Sequence, residues 1–336
     1  MGRLTIREIA KMAGVSPTAV SFVLNNKDGV SEKTRKKVME VIRYTNFKPN
    51  INSKRLFFKK SFNISVVIKH TSSPFVDLFY FEVTKGILKK SKEFGFNIVF
   101  TDIDIDGNSV TFPDIITLND TDGIIFLQDT EKKVLNKVEE HNIPYIVVDA
   151  HSLINGVTSI NADYELSAYT ATRFLIDNGH TDIAFIGSSY IPEYYLQCFS
   201  GFKRALDEAK LLIPSSWIQI NAQDEITSYA CMENILKTDP KPSAVFCAGD
   251  IFAIGAINCS KDLGYKVPDE ISFIGIDDIL LSKYFEPKLT TVSLDTVKMG
   301  EIAMELIVKK INGEQVESVI IDSDNIVVRD SVRKIK

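Results

Sequence analysis

Apolar residues in the first fifty positions recur at intervals of three and four, the mark of helices buried on one side. Ile6, Ile9, Ala10 and Ala13 line one such face, and Ala19, Val20, Val23 and Leu24 line a second. Val38, Val41, Ile42 and Tyr44 supply a third, within a helix predicted over 31–47. The breaks carry helix punctuation. Thr5 with Glu8 three residues on is a capping box, Gly14 stops the first helix, Ser16-Pro17 starts the second, and Ser31 caps the third. From residue 62 short apolar runs alternate with helical stripes. Strands are predicted over 64–68, 97–101, 123–127 and 145–149, with helices over 81–94 and 131–141. A second series places helices over 166–178, 201–209, 227–237, 251–263 and 299–311, and strands over 183–187, 217–220, 244–247 and 272–276. Such alternation implies parallel sheets covered on both faces, and two series imply two lobes. Ligands of such sheets bind beyond the carboxyl ends of the strands, so a cleft between the lobes is the expected site.

Two short helices across a glycine turn form a helix-turn-helix, whose second helix fits the DNA major groove. Paired amphipathic helices also occur elsewhere, and charge is what tips the reading toward DNA. Residues 1–60 hold 14 Lys and Arg against 4 Asp and Glu, net +10, whereas the rest hold 25 against 40, net −15. A basic head suits a module that draws affinity from releasing phosphate counterions, and an acidic body does not cling to nucleic acid. Lys33, Arg35, Lys36 and Lys37 are either a solvated face or phosphate contacts. In residues 48–61, Pro49 ends the preceding element and Asn50 can open a short helix. There Leu56, Phe57 and Phe58 sit among Lys54, Arg55, Lys59 and Lys60. Apolar side chains among cations fit minor-groove insertion, although Phe58 is expected to pack against the following domain.

A chain of 336 residues implies two or three domains. Cys198, Cys231, Cys247 and Cys259 lie far apart, without metal-ligand spacing, and read as buried, reduced thiols. Neither a signal peptide nor a membrane span is visible, so the expected location is the cytoplasm. The chain has no GxGxxG or P-loop and only four His. Asp277 and Asp278 are adjacent on a strand and point to opposite faces, which makes them poor partners for acid–base work. No enzyme activity, cofactor or metal is expected.

Several motifs, in order, resemble the LacI/GalR (lactose repressor) family of bacterial transcriptional regulators over essentially the whole chain. They are VSPTAVSFVLN at 15–25, the hinge of Pro49, Asn50 and Leu56, DGIIF at 122–126 and NGHTDIAFIG at 178–187. PSAVFCAGD at 242–250, VPDEISFIGIDD at 267–278, PKLTTV at 287–292 and VVRDSV at 327–332 follow. The resemblance implies an α/β fold: a three-helix DNA-binding head over 1–48, a hinge helix over 49–61, and a core over 62–336. That core would have two Rossmann-like lobes like a type 1 periplasmic binding protein. An N-lobe is expected over about 62–160 plus 291–320, and a C-lobe over about 161–290 plus 321–333.

The resemblance also implies site residues. Pro17 and Thr18 stand where the recognition helix first reads bases. Phe22 stands where many members place an Arg for guanine. Phe offers only apolar contact, for example to a thymine methyl, so discrimination there should be weaker or favour A·T. Thr5, Ser16, Ser21, Asn25 and Ser31 complete the DNA-facing set, as phosphate contacts, helix caps or both. Leu56 matches the leucine that wedges into the central minor groove, with Asn50 and Ser53 lining its helix. In the cleft, Phe79 and Tyr80 match an aromatic pair that stacks on the ligand, or are simply core. Asp277 matches a carboxylate that accepts hydrogen bonds from ligand hydroxyls or amines, and Asp149, Asn161 and Asp250 are further effector candidates. Two positions depart: the cleft arginine is Cys198, and the Asn often preceding Asp250 is Gly249. Losing a charge-assisted hydrogen bond costs roughly 1.5–3 kcal/mol, which points to an unusual or weakly bound effector. Some relatives answer instead to a phosphorylated carrier protein.

The expected function is a repressor of carbohydrate-utilisation genes, a homodimer on a pseudo-palindromic operator, modulated by a sugar or sugar derivative. The alternatives are a solute-binding transport component, against which the basic head argues, and an enzyme. Purified protein should bind its own upstream DNA tightly and lose affinity steeply as salt rises. Absence of binding in a mobility-shift titration at low salt would discard the regulator reading.

Overall fold

Three capped helices build the head. In the computed structural model, which describes residues 4–24, 28–45, 47, 55, 58–68, 77–107, 109–128, 130–151 and 156–335, they are α1 (Ile6–Ala13), α2 (Pro17–Leu24) and α3 (Glu32–Thr45). The Thr5–Glu8 capping box forms in both directions, Gly14 turns left-handed, and Ser16 Oγ accepts the Ala19 N–H at 3.1 Å. Ile9, Ala10, Ala13, Val20, Val23, Val38 and Phe47 enclose the core. Tyr44 departs from the expected stripe and is 87% exposed. Six residues beyond Val38 the helix has turned about 240°, so Tyr44 faces out. Phe47, just past the helix end, fills the core instead. Asn25, Asn50, Ser53 and Leu56 lie outside the described residues. Phe58 meets Phe62 edge-on, with ring centroids 5.8 Å apart.

The chain divides into two units, Met1–Phe62 and Asn63–Lys336. The second holds two six-stranded sheets. The first runs β13-β7-β6-β5-β1-β2, all parallel. Its strands are β1 (Asn63–Ile68), β2 (Asn97–Thr101), β5 (Gly123–Leu127), β6 (Tyr145–Val148), β7 (Ser159–Ala162) and β13 (Val319–Ile321). The second runs β14-β12-β11-β10-β8-β9 and is parallel except for β14. It comprises β8 (Ile183–Ile186), β9 (Ile218–Gln219), β10 (Ala244–Cys247), β11 (Ser272–Asp277), β12 (Thr290–Ser293) and β14 (Asn325–Val327). A small hairpin, β3 (Asp104–Asp106) with β4 (Ser109–Thr111), stands apart. Each sheet places its second strand outside its first, so the order reverses between β1 and β5 and again between β8 and β10, where ligand crevices form. The chain passes between the sheets three times: after β7, after β12, and between β13 and β14.

Several helices begin earlier than the apolar stripes suggest, because polar caps precede the first buried residue. Asp77 caps α4 (Leu78–Phe94), Asp163 caps α7 (Tyr164–Asp177), Asp224 caps α9 (Glu225–Leu236) and Asp295 caps α11 (Thr296–Ile311). The remaining helices are α5 (Asp114–Thr117), α6 (Lys132–Glu140), α8 (Pro192–Glu208) and α10 (Asp250–Asp262). In α8, Gly201 sits mid-helix rather than at the start, since a Cβ there would lie 2.0 Å from Glu165 O of α7. The strand expected over 217–220 is only Ile218–Gln219, because Trp217 ends a 3₁₀ turn and buries its ring. All four cysteines are buried and unpaired. Among the described residues no helix is long and apolar enough to cross a membrane.

Helices α4 and α11 meet glycine to backbone in both directions. A Cβ on Gly86 would lie 2.0 Å from Val297 O, and one on Gly300 would lie 2.0 Å from Val83 O. Gly300→Ala should therefore force the helices apart and destabilise the core by about 1–3 kcal/mol, read as a lower urea midpoint. An unchanged midpoint would mean that the helices are not held at this spacing.

Candidate functional site

Helix α2 exposes Pro17 and Thr18, with Ser21 and Phe22 half-buried on the same side. It carries no charged residue, and its only polar side chains are Thr18 and Ser21. Cations flank it: Arg7, Lys11, Lys33, Lys36 and Lys37 are exposed on α1 and α3. Thr5, Ser16 and Ser31 each cap a helix. Short readers on a neutral helix, bordered by cations, suit close approach to base edges between phosphate contacts.

In the core, the carboxyl ends of the strands converge on a carboxylate. Asp149 follows β6 in a left-handed conformation, φ +63°. Tyr80 of α4 donates its hydroxyl to Oδ2 at 2.6 Å, and Tyr164, the first residue of α7, donates to Oδ1. His151 Nε2 lies 3.3 Å from Oδ2. Helix α4 packs on the first sheet and α7 on the second, so this one side chain ties the lobes together. Three rings close around it. Tyr164 and Tyr194 meet edge-on at 4.8 Å, and His151 lies 5.3 Å from one and 5.0 Å from the other. Tyr194 donates to Ala248 O beyond β10 at 2.9 Å. Burial works to raise the Asp149 pKa, but the His151 charge and the hydrogen bonds from His151, Tyr164 and Tyr80 outweigh it, leaving the group below its ordinary value.

Asp277 ends β11 with φ +118°, followed by Asp278 at φ +55°. Such backbone is costly for residues with a Cβ and clusters at functional sites. The two carboxyls have different partners: Asp278 pairs with Arg329, and Asp277 accepts a hydrogen bond from the Asp250 backbone. Burial, followed by the charges of Asp250, Asp77 and Asp149, pushes Asp277 well above the usual carboxylate range. Cys198 lies one turn beyond Tyr194, fully buried, and burial raises its thiol pKa.

The structure thus gathers Tyr80, Asp149, Cys198 and Asp277. Phe79 is buried with its ring edge-on to Tyr80 at 5.0 Å. Asn161 supports the group from beneath, its Oδ1 accepting the Ala150 N–H at 2.8 Å. Asp250 serves its own lobe: it accepts from Ile279 N at 3.1 Å, Ser282 Oγ at 2.6 Å and Thr291 Oγ1 at 2.5 Å. His151, Tyr164 and Tyr194 were not singled out from sequence. Tyr194 stands four residues before Cys198, a same-face spacing visible only once α8 is read from Pro192.

Comparison with known proteins agrees at both ends of the chain. Residues 5–50 match the model for bacterial regulatory proteins of the lacI family, and residues 156–332 match a periplasmic binding protein-like domain. Catabolite control protein A of Priestia megaterium is 32% identical over 326 residues, covering 95% of this chain and 96% of the relative. The chain belongs to the lacI family. Another relative, the HTH-type transcriptional repressor PurR of Histophilus somni (strain 129Pt), is 30% identical over 333 residues, covering 98% of this chain and 99% of its own. The solved complex of the transcriptional regulator CelR with cellobiose superposes with a TM-score of 0.69 at 25% identity, over 98% of this chain and 100% of that one. This lacI-family protein is a DNA-binding transcriptional regulator with a ligand-binding core, and its relatives are regulators rather than enzymes.

Burial pushes Asp250 up to about 7, against the hydrogen bonds from Ser282, Thr291 and Ile279. Between the ordinary carboxylate pKa and that value, the folded protein holds a proton that the unfolded chain has released. This group's contribution is present in acid and lost as pH rises through about 7. Asp250→Asn cannot titrate, so its stability should fall less than the parent's between about pH 5 and about pH 8 in urea denaturation. Equal losses would show that Asp250 does not carry the slope.

Proposed function

We propose that this lacI-family regulator is a repressor that binds a pseudo-palindromic operator as a homodimer and responds to a sugar or sugar derivative in the inter-lobe cleft. The carrying observation is that Asp149 already receives hydroxyls, those of Tyr80 and Tyr164, one from each lobe. A ligand hydroxyl that replaces Tyr164 would keep the carboxylate satisfied while releasing the tie between lobes. Asp277 would take a second ligand group, and Phe79 and Tyr80 would line the apolar side. The named complex of the relative CelR with cellobiose supports this ligand class. The ligand acts by binding one lobe arrangement better than the other. On the DNA side, Pro17 and Thr18 face the bases, with Ser21, a phosphate candidate, and Phe22 half-buried on the same side. Thr5, Ser16, Asn25 and Ser31 serve the phosphates, and Asn50, Ser53 and Leu56 serve the hinge.

A second reading, control by a phosphorylated carrier protein, is favoured by the same saturation of Asp149 and by Cys198 in place of a cleft arginine. Fluorescence anisotropy on the upstream operator separates the two. With a panel of mono- and disaccharides, one sugar should shift operator affinity at least about tenfold. Asp277→Asn should bind DNA as the parent does but lose that response. A response to phosphorylated carrier protein with none to any sugar moves the function to the second reading.

A further inference from the structure

The head holds a large apolar side chain where helical geometry puts a DNA-facing residue. On α2, Val20 and Val23 are buried and Leu24 packs against the same core, whereas Phe22 lies on the opposite face, one turn beyond the exposed Thr18. Its ring is nonetheless half-buried. The turn ahead of α3 covers it: a Cβ on Gly29 would lie 3.2 Å from Cε2 and 3.4 Å from Cδ2 of Phe22. Gly29 has φ +101°, a conformation that residues with a Cβ rarely adopt, so two requirements for glycine coincide. Two residues on, Ser31 opens α3, its Oγ accepting the Thr34 N–H at 3.3 Å.

We infer that Phe22 is a positioning residue: its ring spaces the base-reading face of α2 from the Gly29–Ser31 turn and so sets the first turn of α3 against the DNA backbone. This replaces the expectation that Phe22 touches a thymine methyl. Base reading then falls to Thr18 and Ser21, the helix's only polar side chains. Backbone contacts set register and base contacts set sequence preference, so the two roles leave different traces. A residue that reads a base changes preference at one base pair. A residue that spaces two DNA-facing elements changes affinity for every specific site and leaves the ranking of sites intact.

The test uses the full-length protein, its selected operator, and a panel of operators substituted at each half-site position. Phe22→Ala and Gly29→Ala should each weaken binding about tenfold across the panel, with the order of preference unchanged. Phe22→Leu should recover most of the loss. Thermal melts establish that each variant is folded at the assay temperature. If Phe22→Ala unfolds the head, Gly29→Ala decides by the same criterion. A changed preference confined to one base pair, or a Gly29→Ala variant with parental affinity, overturns the inference.

Discussion

A carboxylate taken out of water must be given donors, and the core is arranged around two that are. Asp250 gathers a backbone N–H and two hydroxyls, from Ile279, Ser282 and Thr291. It thereby holds the first turn of α10, the 3₁₀ turn at Leu280–Lys283 and β12 in one place. Asp149 does the same across the lobes through Tyr80 and Tyr164. An unpaired buried charge is far more costly than a paired one, so neither group tolerates loss of its partners. Asp277 is buried under the repulsion of both acids and of Asp77, which holds its carboxyl well above the usual range.

The two parts of the chain rest on different physics. The head is small, and among its described residues seven buried side chains form the centre of its core, held by caps. Its charge and short groove-facing side chains serve a polyanion. The body keeps an opposite net charge and gathers buried acids and rings at the ends of its strands. The excess of acidic residues outside the head limits nonspecific attachment of the body to DNA, leaving the head to determine where the protein sits.

Periodicity and capping made the head and most buried strands and helices of both lobes legible, because helix faces and buried strands are written in local sequence. Tyr44 shows the limit of a stripe read too generously along a helix. The short strands β7, β12, β13 and β14 escaped notice, since Thr290, Thr291, Ser293 and Asn325 read as loop until partners far along the chain are known. The cleft was half legible. Asp149 and Asp277 follow strand ends, which sequence locates. The roles of Tyr164, Tyr194 and His151 depend on contacts between lobes, which no local pattern records.

The interleaving of the lobes also imposes an order on synthesis. Strand β7 is complete at Ala162, but the strand that covers its edge, β13, begins at Val319. Helix α4 likewise waits for Gly300 before its close partner exists. At roughly 5–20 residues per second, a ribosome leaves that edge open for about 8–30 s. An unpaired strand edge is a template for wrong partners. The first lobe to emerge is therefore the one whose edge stays open longer, since β12 of the second sheet (Thr290–Ser293) waits only until Asn325 for β14, and the nascent chain depends for that interval on whatever shields exposed strands beside the ribosome.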